Sequence, residues 1–308
     1  VIIQSLIPYR IRAGLALSLV TIGAATACAQ GTATSDPELG TARVVVSVPW
    51  LADHLGDSNL VVLAIGRAPE DFAVGHIPGA VYIDLDEIRG TRGGIPSQLA
   101  ADALLIDVFE AAGVSDDSRI IVYGAPLDAA RLFYTLEYVG LDRVSVLDGG
   151  LAAWAEGGGA IATSPVAVTR GTITSQPDRS VSVDGDWVSE RLDANGIALV
   201  DARSPEEFSG DRLSRGTERP GHIPGASNLP WDRLLVSPQM PLLREPADLE
   251  RLLTDAGVAP GDTVVTYCRT GMRAAVVYLA ARALGYETVL YDASYLEWSA
   301  RPELPVTR

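Results

Sequence analysis

The residue types that could do chemistry concentrate in one short run, Cys268-Arg269-Thr270-Gly271-Met272-Arg273. The β-branched apolar stretch Val264-Val265-Thr266-Tyr267 leads into it, and a helical pattern starting Ala274-Ala275-Val276 follows at once. That order predicts a thiol at the carboxyl end of a strand, where open α/β sheets bind ligands. It also predicts that the thiol faces a helix N-terminus, whose unpaired N–H groups and dipole favour an anion. Arg269 and Arg273 add positive charge. Such surroundings make a cysteine reactive as its thiolate. The competing reading is a buried structural cysteine, which two arginines and a glycine within five residues fit poorly.

The elements that must position this loop follow from pattern. Short apolar runs at 60–65, 120–123 and 144–147 alternate with helix-like stretches at 100–112 and 129–139. The rhythm returns with strands at 197–200, 263–267 and 288–291 and helices at 247–256 and 273–284. Strands apolar on both faces and separated by helices predict parallel sheets covered by helices.

The chain also repeats itself. Gly75-His76-Ile77-Pro78-Gly79-Ala80 recurs as Gly221-His222-Ile223-Pro224-Gly225-Ala226, and Arg67-Ala68-Pro69-Glu70-Asp71-Phe72 recurs as Arg203-Ser204-Pro205-Glu206-Glu207-Phe208. A duplicated domain is expected, with copies at 44–164 and 181–308 joined by a Thr/Ser/Pro/Gly-rich linker at 165–180. In the alignment of the copies, Gly124 stands at the position of Cys268 and Ile65 at that of Asp201. The first copy therefore lacks the chemistry.

The paired GHIPGA segment, the Asp201-Ala202-Arg203 turn and the CRTGMR loop resemble the two-domain rhodaneses, the thiosulfate sulfurtransferases. Tyr291-Asp292-Ala293-Ser294-Tyr295-Leu296-Glu297-Trp298 is similar to that family's closing YDGSWxEW, with two substitutions. The resemblance runs from about residue 42 to the end. It implies an α/β fold of tandem rhodanese-like domains, the first inactive and the second catalytic. It further implies that Cys268 carries sulfur as a persulfide. In this reading the thiolate attacks the outer sulfur of thiosulfate, sulfite leaves, and cyanide or a thiol removes the sulfur. The N–H groups of residues 269–273 cradle the anion, so Arg269, Thr270, Gly271, Met272 and Arg273 are the substrate-binding set. Asp201 and Arg203 pair behind the loop.

Loop length and composition separate neighbouring chemistries. Related phosphatases and arsenate reductases close Cys-x5-Arg around a tetrahedral oxyanion; here Arg273 closes a loop one residue shorter. Mercaptopyruvate-type members resemble Cys-Gly-Ser-Gly-Val-Thr, whereas basic residues after the cysteine suit dianionic thiosulfate. Many thiosulfate rhodaneses add an arginine shortly after the Asp-x-Arg turn; this chain has Pro205-Glu206-Glu207-Phe208 there. A 3-mercaptopyruvate sulfurtransferase and an exported persulfide carrier are the alternatives.

Other features bound the answer. The chain has 308 residues and a formal net charge of -15, with 24 basic residues, all arginine. This argues against nucleic acid and anionic membrane as partners; the resemblance implies a small-molecule sulfur donor and a thiophilic acceptor. Three histidines without cysteine partners give no zinc spacing, no glycine-rich phosphate loop is present, and no cofactor is expected. His76 and His222 recur in both copies, including the one without a thiol, so they are read as structural; His54 is read as exposed. Arg212, Arg215 and Arg219 lie in an insertion absent from the first copy, read as a solvated loop or a contribution to anion capture. Trp187, Trp231 and Trp298 are read as packing residues.

Residues 1–29 read as an export signal: Arg10 and Arg12 precede the uncharged run 13–27, about 15 residues against the ~20 that span a bilayer. Ala25-Thr26-Ala27 is a small-x-small cleavage pattern, and Cys28 follows where a lipoprotein is acylated. Acylation, simple cleavage and a retained anchor are all open, with residues 30–43 as a tether and a periplasmic or envelope-anchored location as the expectation. The mature chain then has one thiol and no disulfide.

Overall fold

In a computed structural model, residues 44–192, 194–237 and 242–308 are described. The leader, the tether and Cys28 lie outside them. The first copy contains strands β1 (Val45–Val46), β2 (Leu60–Gly66), β3 (Val81–Asp84), β4 (Arg89–Arg92), β5 (Ile95–Leu99), β6 (Arg119–Gly124) and β7 (Val144–Leu147). Its helices are α1 (Val48–His54), α2 (Pro69–Val74), α3 (Asp102–Ala111), α4 (Pro126–Val139) and α5 (Gly150–Glu156). The second copy contains β8 (Ser182–Val183), β9 (Ile197–Asp201), β10 (Ser227–Asn228), β11 (Thr263–Tyr267) and β12 (Thr288–Tyr291), with α6 (Gly185–Ser189), α7 (Pro205–Ser209), α8 (Pro246–Asp255), α9 (Ala274–Ala283) and α10 (Ser294–Ala300).

Each copy forms a parallel five-stranded sheet, in the orders β1-β7-β6-β2-β3 and β10-β9-β11-β12-β8. The central strands β6 and β11 are buried along most of their length, as helix-covered parallel strands must be. Among the described residues no helix is long and apolar enough to cross a membrane.

The β4–β5 hairpin was not expected. β4 is polar, β5 carries Ile95 and the buried Leu99, and the turn is Gly93-Gly94, with φ of 58° and 82°. Two consecutive left-handed residues are what a tight hairpin turn requires, which glycine meets without strain.

The copies pack through α4 and α9. Pro126 opens α4 and Gly140, at φ 95°, closes it, the usual placing of these residues at helix ends. Tyr134 of α4 and Tyr278 of α9 stand at matched positions and meet edge to face, 5.3 Å between ring centres. Glu137 accepts from the Tyr278 hydroxyl at 2.6 Å and from Arg282 at 2.8 Å. The contact Leu99 N–H to Asp292, at 2.7 Å, is repeated by Leu243 N–H to Asp148, at 3.2 Å, again at matched positions with the copies exchanged.

The sheet registers correct one sequence alignment. Tyr123 and Tyr267 are equivalent, each accepting from the isoleucine N–H of its GHIPGA segment, Ile77 and Ile223. Tyr267 pairs with Asp201, but Tyr123 pairs with Ala64. Ala64, not Ile65, is therefore the counterpart of Asp201, and the first copy has one extra residue before Arg67.

Candidate active site

Cys268 follows the last residue of β11, and its side chain is 1% exposed. The loop turns back at Gly271, whose φ is 80°, and Arg273 caps α9. The helix is apolar all round and buried from Ala274 to Ala281, so the core fixes the axis against which the loop is set.

The loop is held from beneath by Ser294. Its hydroxyl accepts from the N–H of Cys268 at 3.2 Å and of Gly271 at 3.1 Å, and donates to the Tyr291 carbonyl at 2.8 Å. The carbonyls of Cys268 and Arg269 accept from Tyr295 and Leu296 N–H, each at 3.0 Å. The N–H groups of Arg269, Thr270, Met272 and Arg273 have no partner among the described residues. The expected cradle therefore loses Gly271, whose N–H is spent on Ser294, and keeps four donors. Convergent N–H groups of this kind make an anion-binding concavity. Thr270 is buried, and the Met272 side chain belongs to the apolar core, so Met272 offers the loop its backbone.

Arg273 is forked onto Glu207, with Nη1 at 2.6 Å from Oε2 and Nη2 at 3.1 Å from Oε1. Glu207 also accepts from the Ser214 hydroxyl and from Ser204 N–H in the capping box that starts α7. Burial alone would raise the Glu207 carboxyl. The hydrogen bonds from Arg273 and Ser214 and the Arg273 charge outweigh it and hold the group well below the usual carboxylate range. Arg269 is partly exposed, and its Nη1 donates to the Arg215 carbonyl at 3.1 Å.

Behind the loop, Arg203 makes three side-chain bonds to Asp201, of 2.6–3.0 Å, and a fourth to the Gly221 carbonyl at 2.8 Å. Its guanidinium lies 3.9 Å from the Tyr295 ring centre. Burial disfavours the Arg203 charge, yet Asp201 outweighs it and keeps the guanidinium protonated. Ala202 N–H is bonded to the Tyr267 carbonyl, so this buried pair sits directly against the strand end that delivers Cys268.

A thiol at a strand end, a positive rim and a row of unpartnered N–H groups form a site for an anionic sulfur. A rhodanese-like domain matches the chain twice, over residues 47–157 and 184–301. This chain belongs to the rhodanese family. It is 31% identical over 266 residues to the thiosulfate sulfurtransferase of Pseudomonas aeruginosa, covering 85% of this chain and 96% of that protein. It is 30% identical over 277 residues to the 3-mercaptopyruvate sulfurtransferase of Escherichia coli, with the same coverage. The crystal structure of SseA from Escherichia coli, described as a 3-mercaptopyruvate sulfotransferase of rhodanese fold, superposes with a TM-score of 0.72 at 28% identity, covering 81% of this chain and 97% of that one. The protein is a sulfurtransferase of this family.

The remaining sequence candidates fall outside the rhodanese site or behind it. His76 and His222 are buried, stack on Phe72 and Phe208 at 3.8 and 3.7 Å, and donate from Nδ1 to the carbonyl of the same phenylalanine. Both are packing residues. His54 is half-buried rather than exposed and stacks on Trp50 at 4.1 Å. Arg219 donates to four carbonyls, of Trp298, Ser299, Arg301 and Leu304. It ties the insertion to the end of α10 and takes no part in anion capture. Arg212 binds Ser204 and Glu207. Trp298 is fully buried. Among the described residues no cluster of His, Cys, Asp or Glu could hold a metal.

Sequence reasoning missed Ser294, Glu207, Asp292 and Arg131. Ser294 is a non-glycine residue at φ 56°, a conformation that costs energy and collects at functional sites. Its only sequence signal was its place in the closing motif. Arg131 is fully buried and binds Asp292 at 2.5 Å; the signal available was a charge inside the apolar run Leu132-Phe133-Tyr134 and its neighbours.

Proposed function

We propose that this chain is a thiosulfate-type sulfurtransferase working through a persulfide on Cys268. The observation that carries the reading is the Cys268 loop itself: a buried thiol, four unpartnered N–H groups around it, and a closing arginine at a spacing sized for sulfur. The Cys268 thiolate attacks the outer sulfur of thiosulfate. A sulfur–sulfur bond forms to the enzyme as the donor's own sulfur–sulfur bond breaks, and its electron pair leaves with sulfite. Cyanide or a small thiol then takes the sulfane sulfur and returns the thiolate. Two half-reactions through a covalent intermediate give ping-pong kinetics. The N–H groups of Arg269, Thr270, Met272 and Arg273 hold the anionic persulfide, and Asp201 with Arg203 braces the strand end behind it. The near-complete burial of Cys268 favours a small donor over a protein one.

A specific observation supports 3-mercaptopyruvate as the second reading. Glu207 pairs with Arg273 at the rim, which lowers the positive charge facing the donor and suits a monoanion as well as a dianion.

The intact mass of the protein after incubation with thiosulfate alone tests the reading. A gain of one sulfur, removed by cyanide and absent in Cys268→Ser, is expected. No gain with thiosulfate and a gain with 3-mercaptopyruvate would transfer the protein to the second reading, and residual turnover in Cys268→Ser would remove Cys268 from the reaction. We further infer that the enzyme is exported to the periplasm or anchored in the cell envelope, on the composition of residues 1–29; intact mass and amino-terminal analysis of the protein recovered from the envelope fraction test it.

A further inference from the structure

The interface between the copies is repeated but not symmetric, and the asymmetry lies beside the thiol. Asp148 and Asp292 occupy matched positions after β7 and β12, and each accepts a leucine N–H from the other copy. Among the described residues, only Asp292 also has an arginine. Arg131 of α4 donates Nη1 to Asp292 Oδ1 at 2.5 Å and Nη2 to the Ser97 carbonyl at 3.1 Å. The residue of α9 matched to Arg131 is Ala275, and no side chain of α9 reaches Asp148 among the described contacts. The buried ion pair is thus built on one side alone, the side that carries Cys268.

The pair lies against the loop. A Cβ added at Gly271 would stand 2.7 Å from Asp292 Oδ1 and 2.9 Å from Arg131 Nη1. The Arg131 guanidinium is fully buried and within electrostatic reach of Cys268. Taking two charges out of water is expensive, and a buried pair adds little net stability over apolar packing. Asp148 shows that the interface bond to a leucine N–H needs no arginine. Arg131 is therefore explained by what Asp292 would do without it: place an uncompensated carboxylate, in a medium of low dielectric, under the loop that must receive an anion.

We propose that Arg131, supplied by the copy without a thiol, is a positioning residue of the Cys268 site. Anchored by its own bond to the Ser97 carbonyl, it cancels the charge of Asp292, whose carboxylate also accepts from Leu99 N–H, so that the potential at the sulfur stays favourable to anionic donors. The first copy then supplies an electrostatic part of the site as well as packing. The inference rests on Cys268 being the reacting group, and its test is independent of the donor.

The test uses the full chain and two alkylating reagents of one shape, anionic iodoacetate and neutral iodoacetamide. Second-order rates at Cys268 are followed by mass. A change in thiol ionisation or loop mobility alters both rates alike, so their ratio reads local potential. Arg131→Met is expected to lower the iodoacetate-to-iodoacetamide ratio about tenfold, Asp292→Asn to raise it, and the double variant to return it to near the wild-type value. Asp148→Asn, the matched carboxylate at the other side of the interface, is expected to leave it unchanged. Equal loss of both rates in Arg131→Met with no change in ratio would reduce Arg131 to a structural residue and overturn the proposal. Should Arg131→Met fail to fold, the sign of the Asp292→Asn change decides by itself: an unchanged or lowered ratio overturns the proposal. A wild-type protein that alkylates normally but takes sulfur from no donor would count against the sulfur-transfer reading and leave this one standing.

Discussion

Both terminal nitrogens of Arg273 are held by the carboxylate of Glu207, at 2.6 and 3.1 Å. The second guanidinium of the loop therefore reaches the site already paired with a carboxylate. Glu207→Gln removes the negative charge; its one amide oxygen can still accept from Ser204 N–H, and its NH2 can donate to the Ser214 hydroxyl, which also accepts. The expected result is a KM for thiosulfate about three- to tenfold lower, a smaller change with monoanionic 3-mercaptopyruvate, and a steeper loss of thiosulfate affinity with salt, since more net positive charge faces the donor. Steady-state kinetics with both donors at two ionic strengths check it; an unchanged donor ratio would mean that Arg273 acts only through its backbone.

Ser294 unites two demands that a single substitution cannot satisfy. Its hydroxyl accepts from two buried loop N–H groups, and its backbone sits at φ 56°. The matched residue in the other copy is Gly150, at φ 55°. Ser294→Ala strands two donors and keeps the strain, for an expected loss of about 2–3 kcal/mol. Ser294→Gly strands the same donors but relieves the backbone, and should be about 1 kcal/mol more stable than the alanine variant. Both should slow sulfur uptake by about tenfold. Denaturant unfolding and single-turnover loading separate the two effects.

The fold was legible because its strands and helices obey their own periods and because the copies could be checked against each other. The thiol loop was legible because its chemistry is consecutive in sequence. What escaped has a common cause: it is assembled across distance. Arg131 and Asp292 come from different copies, and Glu207 meets Arg273 only after α7 has folded across the end of β11. The acidic residues at 206 and 207 were visible as a missing arginine, but their effect on Arg273 was not. The β4–β5 hairpin escaped because β4 is polar and β5 contributes only Ile95 and Leu99 to the apolar core, although its Gly-Gly turn could have been read. The misplacement of Ile65 against Asp201 arose because a one-residue insertion beside a strand end is invisible without register.

Asp116 fastens the linker to the first copy. Its carboxylate accepts from the hydroxyls and N–H groups of Thr174 and Ser175 at 2.5–3.1 Å. The Thr174 hydroxyl, then that of Ser175 and the two N–H groups, lower its pKa to about 2. A free aspartate titrates near ~3.9. Because the folded value is the depressed one, the stabilisation is fully present above about pH 4 and lost as the pH falls through about 2. Asp116→Asn should reproduce the loss at neutral pH. Faster tryptic cleavage after Arg170 than in the wild type is the expected readout, with the two domains still folded.

Gly124 holds the place of the thiol in the first copy, and its substitution tests why that copy carries none. A Cβ there would run into the carbonyl oxygen and side chain of Ile65. Ile65 belongs to the stretch that the sheet registers show to be one residue longer than its counterpart around Ala202. The extra residue places a carbonyl where the second copy leaves room for a cysteine side chain. Gly124→Ala should therefore cost about 1–3 kcal/mol, because backbone cannot swing aside as a side chain can. Gly124→Cys in a Cys268→Ser background should take up no sulfur from thiosulfate. Uptake by that variant, seen as a mass gain reversed by cyanide, would show that the first copy lost only its thiol and kept a working loop. The expected silence would place the loss in the backbone, where a point substitution does not reverse it.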